Sequence, residues 1–211
     1  NVNKLSKIVE KDYEKRMTPL YLAVQKNCIE IVKILLTNSE IDINKESTYK
    51  SKKEEIVETP LHLAIHLGNK NIVEILLNDS RTDVNKIKIT KKKDYLSKKT
   101  IKEQILHIAI KSGNEEIVKL VLKQSNIDIN SNSVSINTLN IYNDDSPKEI
   151  NKNTALHLAI QDKNENIVSL LVSNDNININ KRGTIFYKGE KYKWSSLIMA
   201  ILERQINICK I

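Results

Sequence analysis

Apolar residues recur along the chain in paired clusters separated by a short polar break. After Thr59, Leu61, Leu63, Ala64 and Ile65 form one cluster, and Ile72, Val73, Ile75, Leu76 and Leu77 form the next. The spacing of the second set places its members on one face of a helix. Thr59 is suited to cap the first helix with its hydroxyl, and Pro60 to occupy a first turn where no amide donor is needed. Gly68 falls where that helix must end, in a turn that needs left-handed backbone. Neither helix exceeds about ten residues, too short to persist alone in water. Each is predicted to bury its stripe on its partner and on the next copy.

The pattern opens again at Thr18, Gln104 and Thr154, and the spans 18–44, 59–85, 104–130 and 154–180 all advance 26 positions. A fifth copy, SSLIMAI, opens at Ser195. The connections vary: Asn44 to Thr59 is 15 positions, Asn85 to Gln104 is 19, Asn130 to Thr154 is 24, and Asn180 to Ser195 is 15. A constant core with elastic connectors marks a stacked repeat array. Thr59-Pro60-Leu61-His62-Leu63-Ala64 and Thr154-Ala155-Leu156-His157-Leu158-Ala159 resemble the ankyrin repeat, a two-helix unit of about 33 residues with a T-P-L-H-x-A signature. Tyr21 and Ile198 replace the His, Gln104-Ile105 replaces Thr-Pro, and Arg204 replaces the Gly.

The resemblance implies an all-α repeat solenoid of stacked helix-turn-helix units with extended β-hairpin or loop fingers. The expected division is a connector over 1–17, repeats over 18–58, 59–103, 104–153 and 154–194, and a truncated repeat over 195–211. Asn1-Val2-Asn3-Lys4 matches Asp83-Val84-Asn85-Lys86, so the chain reads as a piece of a longer array with neighbouring repeats on either side. A standard unit leaves about 7 positions for the finger, and every connector here is longer. Ile185 and Tyr187 alternate with Phe186, Lys188-Gly189-Glu190 supplies a turn, and Tyr192 and Trp194 alternate on the return, a hairpin signature. Residues 86–102 and 131–153 are too polar to build their own core, so partial disorder is expected there.

Charge is concentrated in the connectors. Residues 86–103 hold eight lysines against Asp94 and Glu103, and 181–194 hold five basic residues against Glu190, whereas 45–58 balances to zero. Three readings remain open for the basic fingers: a solvated loop, a dock for an acidic or phosphorylated partner, and a nucleic-acid contact or import signal at Lys91-Lys92-Lys93. Tyr95, Tyr187, Tyr192 and Trp194 could stack on bases or form cross-strand pairs.

Catalytic and metal chemistry find little support. His62, His107 and His157 share one repeat position, which spaces neighbours by about one 8–10 Å helix layer, beyond a shared coordination sphere. The resemblance implies that each imidazole ties a helix start to a neighbouring loop. Asp42, Asp83 and Asp128 recur at another position and read as loop geometry. Phosphate-loop glycine motifs are missing from the sequence, and no cofactor is expected. Cys28 and Cys209 lie four layers apart, too far for a disulfide, and free thiols point to a cytoplasmic, alternatively nuclear, setting. No apolar run approaches the roughly 18 residues of a membrane span.

The function expected is therefore non-enzymatic: a scaffold that holds another protein, an acidic one where the basic fingers take part, in the groove between first helices and fingers. Carried over by position, the helix-side contacts are Gln25, Lys26, His66, Leu67, Lys111, Ser112, Gln161 and Asp162. The finger-side contacts are Met17, Glu58, Glu103, Asn153 and Trp194. Trp194 reads either as an interface anchor or as packing within its own hairpin. The alternative function is polyanion or nucleic-acid binding through 86–102 and 181–193.

Overall fold

The computed structural model describes residues 1–95, 97–139, 148–187 and 190–211. Each copy begins with a short helix: α1 (Pro19–Gln25), α3 (Pro60–His66), α5 (Ile105–Ser112), α7 (Ala155–Gln161) and α9 (Ser196–Leu202). The second helices are α2 (Ile29–Leu36), α4 (Lys70–Leu77), α6 (Glu115–Leu122) and α8 (Glu165–Val172). First helices pack on first helices and second on second, and each also packs on its partner. Thr18, Thr59, Thr154 and Ser195 cap the first helices by accepting hydrogen bonds from the amides of Tyr21, His62, His157 and Ile198.

The turn between paired helices has one geometry throughout. Asn27, Gly68, Gly113, Lys163 and Arg204 occupy equivalent positions, and all have φ between 54° and 71°. The backbone keeps its left-handed turn where the glycine is replaced, at a steric cost of roughly 1–2 kcal/mol for each side chain.

The core is a single aliphatic cluster running through the stack. Ile72, Val73, Leu76, Ile117, Val118 and Val121 are all fully buried, each contributing about 1.5–3 kcal/mol by leaving water. A line of asparagines joins the copies on the loop side. Asn44 donates from Nδ2 to Arg81 O at 2.7 Å and accepts from Asp83 N at 2.8 Å. Asn85 does the same to Asn126 and Asp128, Asn130 to Asn176 and Asn178, and Asn3 to Glu40 and Asp42. Asp42, Asp83 and Asp128 each accept from the amide two residues on, the loop geometry expected of them.

The fingers overturn the all-α expectation. Among the described residues they form ten strands: β1 (Ser6–Val9), β2 (Tyr13–Met17), β3 (Ser47–Ser51), β4 (Glu54–Glu58), β5 (Lys88–Lys93), β6 (Ser97–Glu103), β7 (Asn132–Leu139), β8 (Lys148–Thr154), β9 (Gly183–Tyr187) and β10 (Glu190–Trp194). They do not project separately. β1 to β10 join in sequence order into one antiparallel sheet, because each lengthened hairpin also pairs with the next: β2 with β3, β4 with β5, β6 with β7, and β8 with β9. The expected disorder of 86–102 is corrected too, since β5 and β6 are ordered strands with neighbours on both sides. Within 131–153, β7 and β8 are likewise strands, and 140–147 lie outside the described residues. The 183–194 hairpin is present, with Tyr187 paired to Glu190; its turn, 188–189, is not among the described residues.

Candidate functional site

Cross-strand partners in an antiparallel sheet point to the same face, so the register sorts the finger residues into rows. One row runs Ile8, Lys15, Tyr49, Ile56, Thr90, Ile101, Ser135, Asn151, Ile185, Tyr192 across all ten strands. Two residues nearer the helices lies a basal row that includes Met17, Glu58, Lys88, Glu103, Ser133, Asn153, Gly183 and Trp194. The five finger-side residues expected from sequence all fall in this basal row.

The basal row is largely consumed inside the molecule. Met17 is 5 % exposed. Glu58 is buried, accepts from the Tyr21 hydroxyl at 2.8 Å and pairs with Lys88 Nζ at 2.5 Å. Tyr21 thus takes the place of the first-copy His and reaches Glu58 at the base of β4 instead. Burial, reinforced by the Glu58 carboxylate, pushes its phenol pKa up. Glu103 is paired with Lys111 of α5. Asn153 and Trp194 are half-buried. Among the described residues the enclosed Trp194 indole N–H has no acceptor, while the Trp194 carbonyl faces His157 Nε2 at 3.2 Å.

The three histidines are structural. His62 Nε2 sits 3.1 Å from Lys86 O and must donate to it, which leaves Nδ1 to accept from Thr59 N at 3.2 Å. His107 repeats this between Ser131 O and Gln104 N. Burial lowers all three imidazole pKa values, that of His62 to about 4. In the fourth copy Gly183 lies against the ring; a Cβ there would stand 3.0 Å from Lys152 O and 3.1 Å from His157 Nε2. A glycine in this basal row is therefore a packing requirement, and the close approach carried no sequence signal beyond the residue type. Of the two free cysteines, Cys28 is half-buried and Cys209 exposed.

The helix-side residues Gln25, Lys26, His66, Leu67, Lys111, Ser112, Gln161 and Asp162 are exposed. The structure brings three of them together. His66, Lys111 and Ser112 face Ile56, Thr90, Lys92 and Ile101 of the sheet across an open trough of about 550 Å³. A second depression of about 250 Å³ continues it past Ile56 to Gln25, Tyr21, Tyr49 and Lys15. Asp162 lies beyond, its carboxyl raised by partial burial and opposed by Lys111. The sequence reading missed Lys15, Tyr49, Ile56, Thr90 and Ile101, which carry the sheet side of the trough. Counting two residues back from Met17, Glu58 and Glu103 reaches Lys15, Ile56 and Ile101, whereas Tyr49 and Thr90 lie on β3 and β5 and follow only from the pairing of the hairpins.

Charges in the trough are internally matched: Lys88 with Glu58, Lys111 with Glu103, and Lys92 with Glu54 at 3.3 Å. The two basic fingers do not merge, because β7 and β8 stand between β6 and β9.

Short helix pairs stacked in register, with the hairpins between them joined into one antiparallel sheet, define a repeat protein of mixed helix and strand. Family models described as ankyrin repeats in three copies match residues 47–133 and 134–211, and the single ankyrin repeat model matches 15–47. The chain belongs to the ankyrin-repeat family. Such repeats are generally protein–protein interaction modules and typically non-enzymatic. Comparison with curated proteins finds no match. Among the described residues no helix is long and apolar enough to cross a membrane.

Proposed function

We propose that this array holds a protein segment in the trough between the finger sheet and the first helices. The observation that carries the reading is the convergence of His66, Lys111 and Ser112 with Ile56, Thr90 and Ile101 on one concave surface. Its charge is balanced and its sheet row is half apolar, so it suits a segment of mixed polarity rather than a strongly acidic one. Gln25, Lys26, Leu67, Gln161 and Asp162 extend the helix side, and the basal residues Met17, Glu58, Glu103, Asn153 and Trp194 support the floor.

The same positions are buried in the middle of the stack and open at its ends. Ile31 is 50 % exposed where its counterpart Ile72 is fully buried, and Leu197 is 53 % exposed where Leu156 is 3 %. Both end layers therefore expose apolar side chains, which supports reading the units 18–58, 59–103, 104–153, 154–194 and 195–211 as neighbours in a longer stack.

A photo-crosslinking residue placed at Ile101, on the trough, and separately at Lys102, on the opposite face, tests the groove. A partner held in the trough is captured from position 101 and not from 102. Capture from 102 alone, or capture from 101 unchanged by His66→Glu/Lys111→Glu, would contradict it.

A further inference from the structure

The finger tips hold a second feature, which shares Lys92 and Glu54 with the outer end of the trough. The outer end of β3 carries Lys50, the β3–β4 turn carries Lys52 and Lys53, and the outer ends of β5 and β6 carry Lys93, Lys98 and Lys99. Finger 45–58 is neutral as a whole, but its lysines gather at the tip. The backbone joins the two tips, since Lys93 N donates to Lys53 O at 2.8 Å. Between them lies a cleft of about 290 Å³ lined by eight lysines and two glutamates, with Ser51 and Thr100 hydroxyls.

The internal counter-charge is already committed. Glu54 pairs with Lys92 and Glu55 with Lys91, both at 3.3 Å, and Lys52 meets Asp12 at 3.4 Å. Asp94, at the mouth, is engaged by the amide and hydroxyl of Ser97. Register makes the excess worse: Lys92 stands directly opposite Lys99, and Lys93 directly opposite Lys98. Like charges in facing positions destabilise a strand pair. An arrangement that concentrates repulsion in one small cleft suits an anion that relieves it.

Charge density selects the anion. Eight lysines less Glu54 and Glu55, less Asp12 on Lys52 and Asp94 at the mouth, leave four positive charges around the cleft. Carboxylates would need about four groups to match them, whereas phosphates at roughly −1.5 to −2 each need two or three. Lysine ammonium groups are compact point charges that bind phosphate without demanding planar geometry. The lysines also span only two adjacent hairpins and do not form a track along the sheet, as a long polyanion would require. We infer that the tip cleft between the β3–β4 and β5–β6 hairpins binds a compact ligand bearing two or more closely spaced phosphates. Such phosphates could belong to a free polyphosphorylated molecule or to a lipid headgroup.

The full chain is titrated at 150 mM salt with inorganic tripolyphosphate, inositol hexakisphosphate, a 20-mer single-stranded oligonucleotide and a Glu-rich peptide. Vesicles with and without a polyphosphorylated phosphoinositide form the last arm. Binding of either free phosphate compound, or of phosphoinositide vesicles alone, supports the site and tells the two sources apart. Lys53→Gln/Lys93→Gln/Lys98→Gln, all exposed and outside the trough, is expected to weaken binding at least tenfold. Lys181→Gln/Arg182→Gln/Lys193→Gln in the other basic finger should change it less than twofold. Tighter binding of the oligonucleotide or peptide than of any phosphate ligand overturns the inference. So does an equal loss in both triple variants, or no binding of any phosphate arm at 50 mM salt.

Discussion

Asn85 offers the sharpest test of how the copies hold together. Its side chain gives one hydrogen bond to Asn126 O at 2.7 Å and takes one from Asp128 N at 3.0 Å, so Asn85→Ala removes both links between consecutive loops. A hydrogen bond contributes about 0.5–1.5 kcal/mol net, and more when its loss leaves a buried partner. Here Asn126 and Asp128 are exposed and water can satisfy them, so no burial penalty is added and the two losses total about 1–3 kcal/mol. For a chain of this size 1 kcal/mol moves Tm by roughly 2–4 °C, giving an expected drop of about 2–12 °C. Calorimetry on Asn85→Ala, Asn44→Ala and Asn130→Ala should give similar drops, with exposed Asn71→Ala as control. A shift below 1 °C for Asn85→Ala, or one no larger than the control, would refute the ladder as a source of stability.

Three further outcomes follow from the buried chemistry. The His62 pKa is about 4 in the fold against 6.5 for the free side chain, so the unfolded chain binds more protons between those values. Stability is then complete above about pH 6.5, is lost as pH falls toward 4, and levels off below; the full loss from His62 is about 3 kcal/mol, read by urea midpoints across that window. Lys88→Met leaves the Glu58 carboxylate buried without its cation and should cost about 3–5 kcal/mol, with Glu58→Gln/Lys88→Met recovering most of it. Lys163→Gly relieves a left-handed side chain and should raise stability by about 0.5–1 kcal/mol after the added chain entropy is subtracted; a lower Tm in that variant would count against the turn geometry.

What could be read in the sequence was local. Thr59 with Pro60, the Leu61–Ile65 cluster, the helical stripe from Ile72 and the alternation of 185–194 each state their structure within a few residues. The sheet could not be read that way. Lys91, Lys92 and Lys93 sit in a strand because β4 and β6 flank it and supply hydrogen bonds on both sides, while composition alone argues for a solvated loop. Nothing near Lys93 signals that it will bond to Lys53, forty residues earlier. The site was half legible for a related reason. Counting from each helix start found the helix side, His66 and Lys111, and the correct face of the strands. It took the row that the helices cover, so Met17 and Glu58 are interior and Ile56 and Ile101 are what the trough presents.

Both the trough and the tip cleft depend on the fingers forming one sheet, and hydrogen exchange tests that most directly. The account predicts slow exchange for the amides of 88–93 and 97–103 that bond across to β4 and β7, comparable to those of β3 and β4. Exchange at the free-chain rate throughout 88–103, with the helices still protected, would contradict it.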